Sequence, residues 1–144
     1  MAISIEAKIV AGLLARFGEI ALPQGVTVAY PNIDFTPASD GSNNPLPYVR
    51  LSVRKNRPST IHIGGGREPV RMGLILAVVC WPVGKGIIAA SELAGTIRDH
   101  FAFATRFDYD GITFWIVEEP VVNDDMQGPV YTEIPVVIPW QVYP

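Results

Sequence analysis

Apolar residues recur along the chain with two periods, and the changes of period divide it into elements. Between Ser4 and Ile20, Ile9, Leu13 and Phe17 return every fourth residue, and Val10, Leu14 and Ile20 widen them into a stripe. That spacing keeps side chains on one face of a helix, so the segment reads as a first helix. Ser4 offers the hydroxyl an N-cap needs, Glu6 sits near the positive end of the helix dipole, and Pro23 ends the segment. Gly25 to Tyr30 reads as a short strand with Val26 and Val28 on one side. From Tyr48 to Arg54 the period drops to two: Val49, Leu51 and Val53 face inward, while Arg50, Ser52 and Arg54 face outward. Val70 to Trp81 is apolar on both alternations, with Met72, Leu74, Leu76, Val78 and Cys80 against Ile75, Ala77, Val79 and Trp81. Such a strand is buried on both faces, and Gly73 inside it marks a bulge or a close backbone approach.

After Gly86 the helical period returns. Ile87, Ala90, Ala94, Ile97 and Phe101 form a stripe, with Leu93 beside it, and predict a second helix ending near Phe101. Asp110-Gly111 signals a tight turn before a strand at Ile112–Val117, and residues 118–129 read as a polar loop. The last strand places Ile134, Val136, Ile138, Trp140 and Val142 on one face and Pro135 and Pro139 on the other. Proline cannot donate to a ladder, so this strand is expected at or near a sheet edge. The order α-β-β-β-α-β-β predicts one α+β domain over residues 1–144, with two helices packed on a largely antiparallel sheet of about five strands. The third and fourth strands are apolar on both faces, and two helices cover roughly one face. Either one helix lies on each face or a neighbouring subunit covers the second, and the reading favours the subunit.

Composition sharpens this picture. The chain has 144 residues, 13 of them glycine and 13 proline, yet 49% are hydrophobic and only 17% charged, which excludes a disordered chain. The long proline-free windows at 1–22 and 83–119 are those that hold the two helices, whereas 31–47 carries four prolines, Asp40-Gly41 and Asn43-Asn44 and reads as an exposed loop. A net charge of −3 exerts no global pull toward nucleic acid. The single Cys80 allows no internal disulfide and no cysteine-based zinc site. No apolar run is long enough for a transmembrane helix and no basic leader opens the chain, so no membrane partner and a soluble cytosolic product are expected.

Candidate chemistry is sparse. Gly64-Gly65-Gly66 beside Arg67 could cradle a phosphate, but Gly84-Lys85 is followed by Gly86 and preceded by Val79 where a P-loop needs glycine, so a flexible loop is the simpler reading. Asp108, Asp110 and Gly111 lack the remaining ligands of a calcium loop. Glu118-Glu119 and Asp124-Asp125 could supply metal-binding or acid/base carboxylates, but adjacent strand residues point to opposite faces. His62 and His100 stand in no ligand spacing, and Cys80 reads as a buried small hydrophobe. No catalytic residue, cofactor or metal site is expected. The remaining charge feature is basic: Arg50, Arg54, Lys55, Arg57, Arg67 and Arg71 fall within 22 positions, around the Gly64–Gly66 triplet. They are either outward strand faces and a solvated loop, or a contact with an acidic partner or passing DNA.

Tyr30-Pro31-Asn32-Ile33-Asp34-Phe35-Thr36-Pro37, Pro47-Tyr48-Val49-Arg50-Leu51, Arg71-Met72-Gly73-Leu74-Ile75-Leu76, Trp81-Pro82-Val83-Gly84-Lys85-Gly86 and Val136-Val137-Ile138-Pro139-Trp140 follow one another in an informative order. Together they resemble the tail terminator-like (tail completion) proteins of tailed bacteriophages and prophages, over nearly the whole chain. Ile75-Leu76-Ala77 departs from the mixed alternation commoner in that family. The resemblance implies a non-enzymatic virion structural protein, assembled in the host cytoplasm. It would form a homo-oligomeric ring, commonly a hexamer, that caps the head-proximal end of the tail tube. Its implied partners are the tail tube protein, the head–tail connector protein and DNA passing through the lumen without sequence-specific binding. Interface or lumen candidates are Arg50, Arg54, Lys55, Arg57, Gly64, Gly65, Gly66, Arg67 and Arg71. The alternatives are a head-completion or neck protein, and a small metal-dependent DNA-processing enzyme using Glu118, Glu119, Asp124 or Asp125.

Overall fold

Ser4 caps the first helix as its sequence context predicts, its hydroxyl accepting from the Ala7 amide at 3.1 Å. The computed structural model describes residues 4–56 and 70–143. Helix α1 spans Ile5–Gly18 and buries Ile9, Leu13 and Phe17, while Val10 and Leu14 are half-buried at the sides of the stripe. Helix α2 spans Ile88–His100 and buries Ala90, Leu93, Ala94 and Ile97, with Phe101 fully buried just beyond. Ile87, expected in that stripe, is instead 40% exposed, and Ile88 is 82% exposed. The reason is backbone geometry: Gly84 and Gly86, at φ 84° and 80°, turn the chain so that Ile87 becomes the cap residue outside the first helical turn.

The described residues form eight strands: β1 (Thr27–Ala29), β2 (Tyr48–Lys55), β3 (Arg71–Pro82), β4 (Arg106–Tyr109), β5 (Ile112–Trp115), β6 (Val121–Val122), β7 (Met126–Gln127) and β8 (Tyr131–Tyr143). They form one mixed sheet in the order β1-β2-β3-β8-β5-β4, with β6 and β7 also on β8. Only β1–β2 is parallel. The expectation of about five strands is thus corrected upward. Asp110 and Gly111, at φ 48° and 85°, make a two-residue hairpin that pairs β4 with β5. The strands β6 and β7 lie inside the stretch read as a loop, and two residues carry no period to read.

The last strand is not at an edge. β8 lies at the centre, in uninterrupted register with β3 from Arg71↔Val142 to Pro82↔Tyr131. Its prolines are accommodated by where their nitrogens point. The Pro135 carbonyl accepts from the Asn123 amide at 2.9 Å, so the polar backbone of residue 135 faces away from β3. Backbone direction alternates along an antiparallel strand, which puts Pro139 on the same side. On that side the neighbours are interrupted: β5 pairs at Gln141–Tyr143, β6 at Val136–Val137 and β7 at Thr132–Glu133. Each absent N–H falls at a break, and the β3–β8 ladder loses nothing.

Both helices pack on the same sheet face. The core joins Ile9, Leu13, Phe17, Leu93 and Ile97 to Val49, Leu51, Ile75, Ala77, Val79, Ile134, Val136, Ile138 and Trp140. The arrangement with one helix on each face is therefore excluded, and among the described residues the second face carries no helix. Gly73 forms no bulge, since β2–β3 register is continuous through Lys55↔Gly73. It serves the close approach instead. A Cβ there would collide with the Arg54 carbonyl oxygen and lie 2.8 Å from Trp140 Cζ2.

Gly73→Ala is therefore expected to destabilise the fold by about 2–3 kcal/mol through overpacking. Gly95→Ala in α2, where a Cβ would meet nothing within 4 Å, is expected to stabilise it by roughly 0.5–1 kcal/mol. Urea-unfolding midpoints of the two variants, moving in opposite directions, check both.

Candidate functional site

The pleat sends alternate residues of β2, β3 and β8 onto the helix-free face, and its two halves differ. Over one half the proline-rich loop folds back: the Phe35 ring lies 4.9 Å from Tyr48, and Tyr48 lies 5.2 Å from Tyr131. The Tyr131 hydroxyl donates to the Leu46 carbonyl at 3.4 Å. Beside this cluster Arg50 reaches across the sheet to Glu133 at 3.0 Å and passes 3.9 Å from Cys80 Sγ. Burial pushes the Cys80 thiol above its usual range. Burial, and then the neighbouring Cys80, push the Tyr48 phenol up to about 12. The reactive thiolate is disfavoured, and Cys80 packs as a small hydrophobe.

The other half of this face is an open groove of about 350 Å³ lined by Met72, Leu74, Val121, Val137 and Pro139, with Glu118 at its rim. Val121 is 53% exposed there. Leu74, Val137 and Pro139 are each half-buried, so the groove is an apolar surface with only partial cover.

The basic residues do not form one surface. Arg50 and Arg54 project onto the helix-free face, whereas Lys55 and Arg71, of opposite parity, lie on the helix side against the start of α1. There Lys55 Nζ donates to Glu6 Oε2 at 2.7 Å and Arg71 Nε to Oε1 at 3.1 Å. The hydrogen bond from Lys55 chiefly holds the Glu6 carboxyl below its ordinary range; burial opposes it, and the hydrogen bond from Arg71 adds to the lowering. Arg54 is exposed and, among the described residues, forms no ion pair. Arg57, Gly64, Gly65, Gly66 and Arg67, together with His62, lie outside the described residues.

The carboxylates are dispersed. Glu118 stands at the groove rim. Glu119 accepts from the Phe103 amide at 3.4 Å, and Asp108 from the Thr113 hydroxyl at 2.8 Å. Asp124 and Asp125 are exposed. Among the described residues no group of three or more His, Cys, Asp or Glu side chains could hold a metal ion. His100 Nε2 lies 2.8 Å from the Arg16 carbonyl and ties the end of α2 to α1.

Sequence reasoning missed the Phe35–Tyr48–Tyr131 cluster and the role of Glu6 as the shared partner of two cations. A signal for the cluster was present: Tyr48 has the outward parity of β2, an unusual place for a large aromatic ring unless something covers it.

The profile described as "Phage tail terminator protein" matches residues 8–140. One solved structure superposes with a TM-score of 0.65 at 22% identity, covering 96% of this chain and 92% of its own, a likeness of fold. No curated protein matches.

Because the folded carboxyl of Glu6 is held low, its ion pairs stabilise above the unfolded-state value and are lost as pH falls through the folded one. Glu6 is more than half exposed, so solvent screening keeps the effect below about 1 kcal/mol. Glu6→Gln is expected to lower stability by that amount at neutral pH, with the difference from wild type vanishing in acid. Urea unfolding at pH 7 and below pH 4 measures it.

Proposed function

Because the chain belongs to the phage tail terminator family, and is thus a structural component of the phage tail, we propose that it forms the ring that caps the head-proximal end of the tail tube. In this reading six copies close around the lumen, stop further tube polymerisation and offer the surface to which the DNA-filled head joins. The observation that carries it is the family match over residues 8–140 together with a sheet covered by both helices on one face and left with an open apolar groove on the other. A neighbouring subunit would bury that groove, and burial of apolar surface drives association. A ring also repeats local charge around an axis. The segment 55–69, with Arg57 and Arg67, would present positive charge to the lumen or to the adjoining ring although each chain is acidic. DNA would pass such a lumen through backbone electrostatics, without base readout.

Disrupting the gene in the phage or prophage that encodes the chain is expected to yield tubes of irregular length and tails unjoined to heads in negative-stain micrographs. Normal tails on full heads would overturn the proposal. Deleting Gly64–Gly66 with Arg67 is expected to impair tail length control or head joining, and normal values of both would remove the 55–69 segment from the lumen.

A further inference from the structure

Among the described residues, two apolar surface features lack partners, and they lie at opposite ends of β3. The first is the groove beside Met72 and Leu74, near the start of the strand. The second is the pair Ile87–Ile88, just past its end at Pro82, with Ile88 82% exposed. At about 3.3 Å per residue the two ends of β3 stand roughly 36 Å apart. The groove opens on the helix-free face, whereas α2, which Ile88 begins, packs on the other. One copy cannot seat its own isoleucines in its own groove.

Charge matches the two features as well. Glu118 lines the groove, and Arg54 is the register partner of Leu74, which lines it too. Lys85 precedes Ile88 by three residues and Glu92 follows it by one helical turn. All four are exposed, and among the described residues none forms an ion pair. Lys85 lies near enough to Asp40 to help hold that carboxyl low, without an ion-pair contact; each feature still carries one cation and one anion to face the opposite charge on the other, the complementarity that fixes register at an interface.

The geometry points to a head-to-tail contact between copies, in which Ile87 and Ile88 of one chain enter the groove of the next, with Glu92 facing Arg54 and Lys85 facing Glu118. The two surfaces differ, so the contact is heterologous, and its repetition about an axis closes a ring. Closure and copy number rest on the proposed ring; the pairing of these two surfaces is a separate claim. The exposed apolar pair and groove supply the burial, while the charges set the orientation.

Three sets of variants test it, each with its fold checked by circular dichroism and urea unfolding, and each followed by sedimentation velocity alone and with tail tube protein. Ile88→Asp and Val121→Asp are each expected to abolish assembly. Mixed one to one, they are expected to give dimers and nothing larger, because one intact contact remains possible and cannot propagate. Arg54→Glu and Glu92→Arg are each expected to weaken assembly about tenfold. The double variant Arg54→Glu with Glu92→Arg is expected to restore it. Wild type that assembles while folded Ile88→Asp assembles equally well would overturn this contact and leave the ring standing. Mixtures of the two Asp variants that stay monomeric, or a double reversal that restores nothing, would also overturn the contact alone. Wild type that remains monomeric alone and with tube protein would overturn the ring and the contact together.

Discussion

Two long strands, β3 and β8, pair over their full common length at the centre of the sheet, and both are apolar on both faces along much of that length. Everything else in the chain is arranged around the burial this demands. The helices meet it on one face, where α1 and α2 close over Ile75, Ala77, Val79, Ile134, Val136 and Ile138. On the other face the proline-rich loop meets it over one half, through Phe35 and Leu46 against Tyr48 and Tyr131. The remaining half is the groove. Its opening is the part of the central burial requirement that, among the described residues, two helices and one loop leave unmet.

The same pleat governs the electrostatics. Four described cations lie near one another in the chain, but alternation places Arg50 and Arg54 on one side and Lys55 and Arg71 on the other. Three of the four are taken up by carboxylates: Arg50 by Glu133, and Lys55 with Arg71 by Glu6. These pairs are partly exposed, so each contributes modestly to stability. Their larger effect is positional. Glu6 binds the first turn of α1 to the open ends of β2 and β3, and Arg50 lies across the sheet beside the aromatic cluster. Net positive charge at this end is therefore smaller than the linear sequence suggests, and Arg54 carries more of it.

Much of this was legible in the sequence because it is local. The Ser4 cap, the four-residue stripe of α1, the alternation of β2 and the Asp110-Gly111 turn each depend on residues close together in the chain. The assignment of β8 to an edge failed for a non-local reason. Whether a proline disrupts a ladder depends on which side its nitrogen faces and whether a partner stands there, and composition does not encode that. Ile87 failed for a similar reason, since a turn at Gly84 and Gly86 shifted the start of α2 by one residue. At the candidate site, the residue types were readable but their faces were not. The expectation that two helices leave one face open was sound, because it rested on counting apolar alternations. The loop that closes half of that face carried no periodic signal.

The sheet edges limit how copies can meet. The terminal strands are short, β1 with three residues and β4 with four, which leaves little backbone for another strand to pair with. β2 extends past β1 beyond Arg50, and that stretch, which pairs with no other described strand on this side, carries Arg54 and Lys55. Charged side chains on an exposed edge oppose strand addition, since a like strand would bring like charges together. Edge-to-edge growth, which would produce open ribbons of indefinite length, is thus disfavoured by the same residues that make this end of the molecule basic. For the proposed ring this leaves contact through faces and loop ends, whose geometry would be set by side-chain fit, fixing an angle between copies, rather than by a ladder that could slip in register.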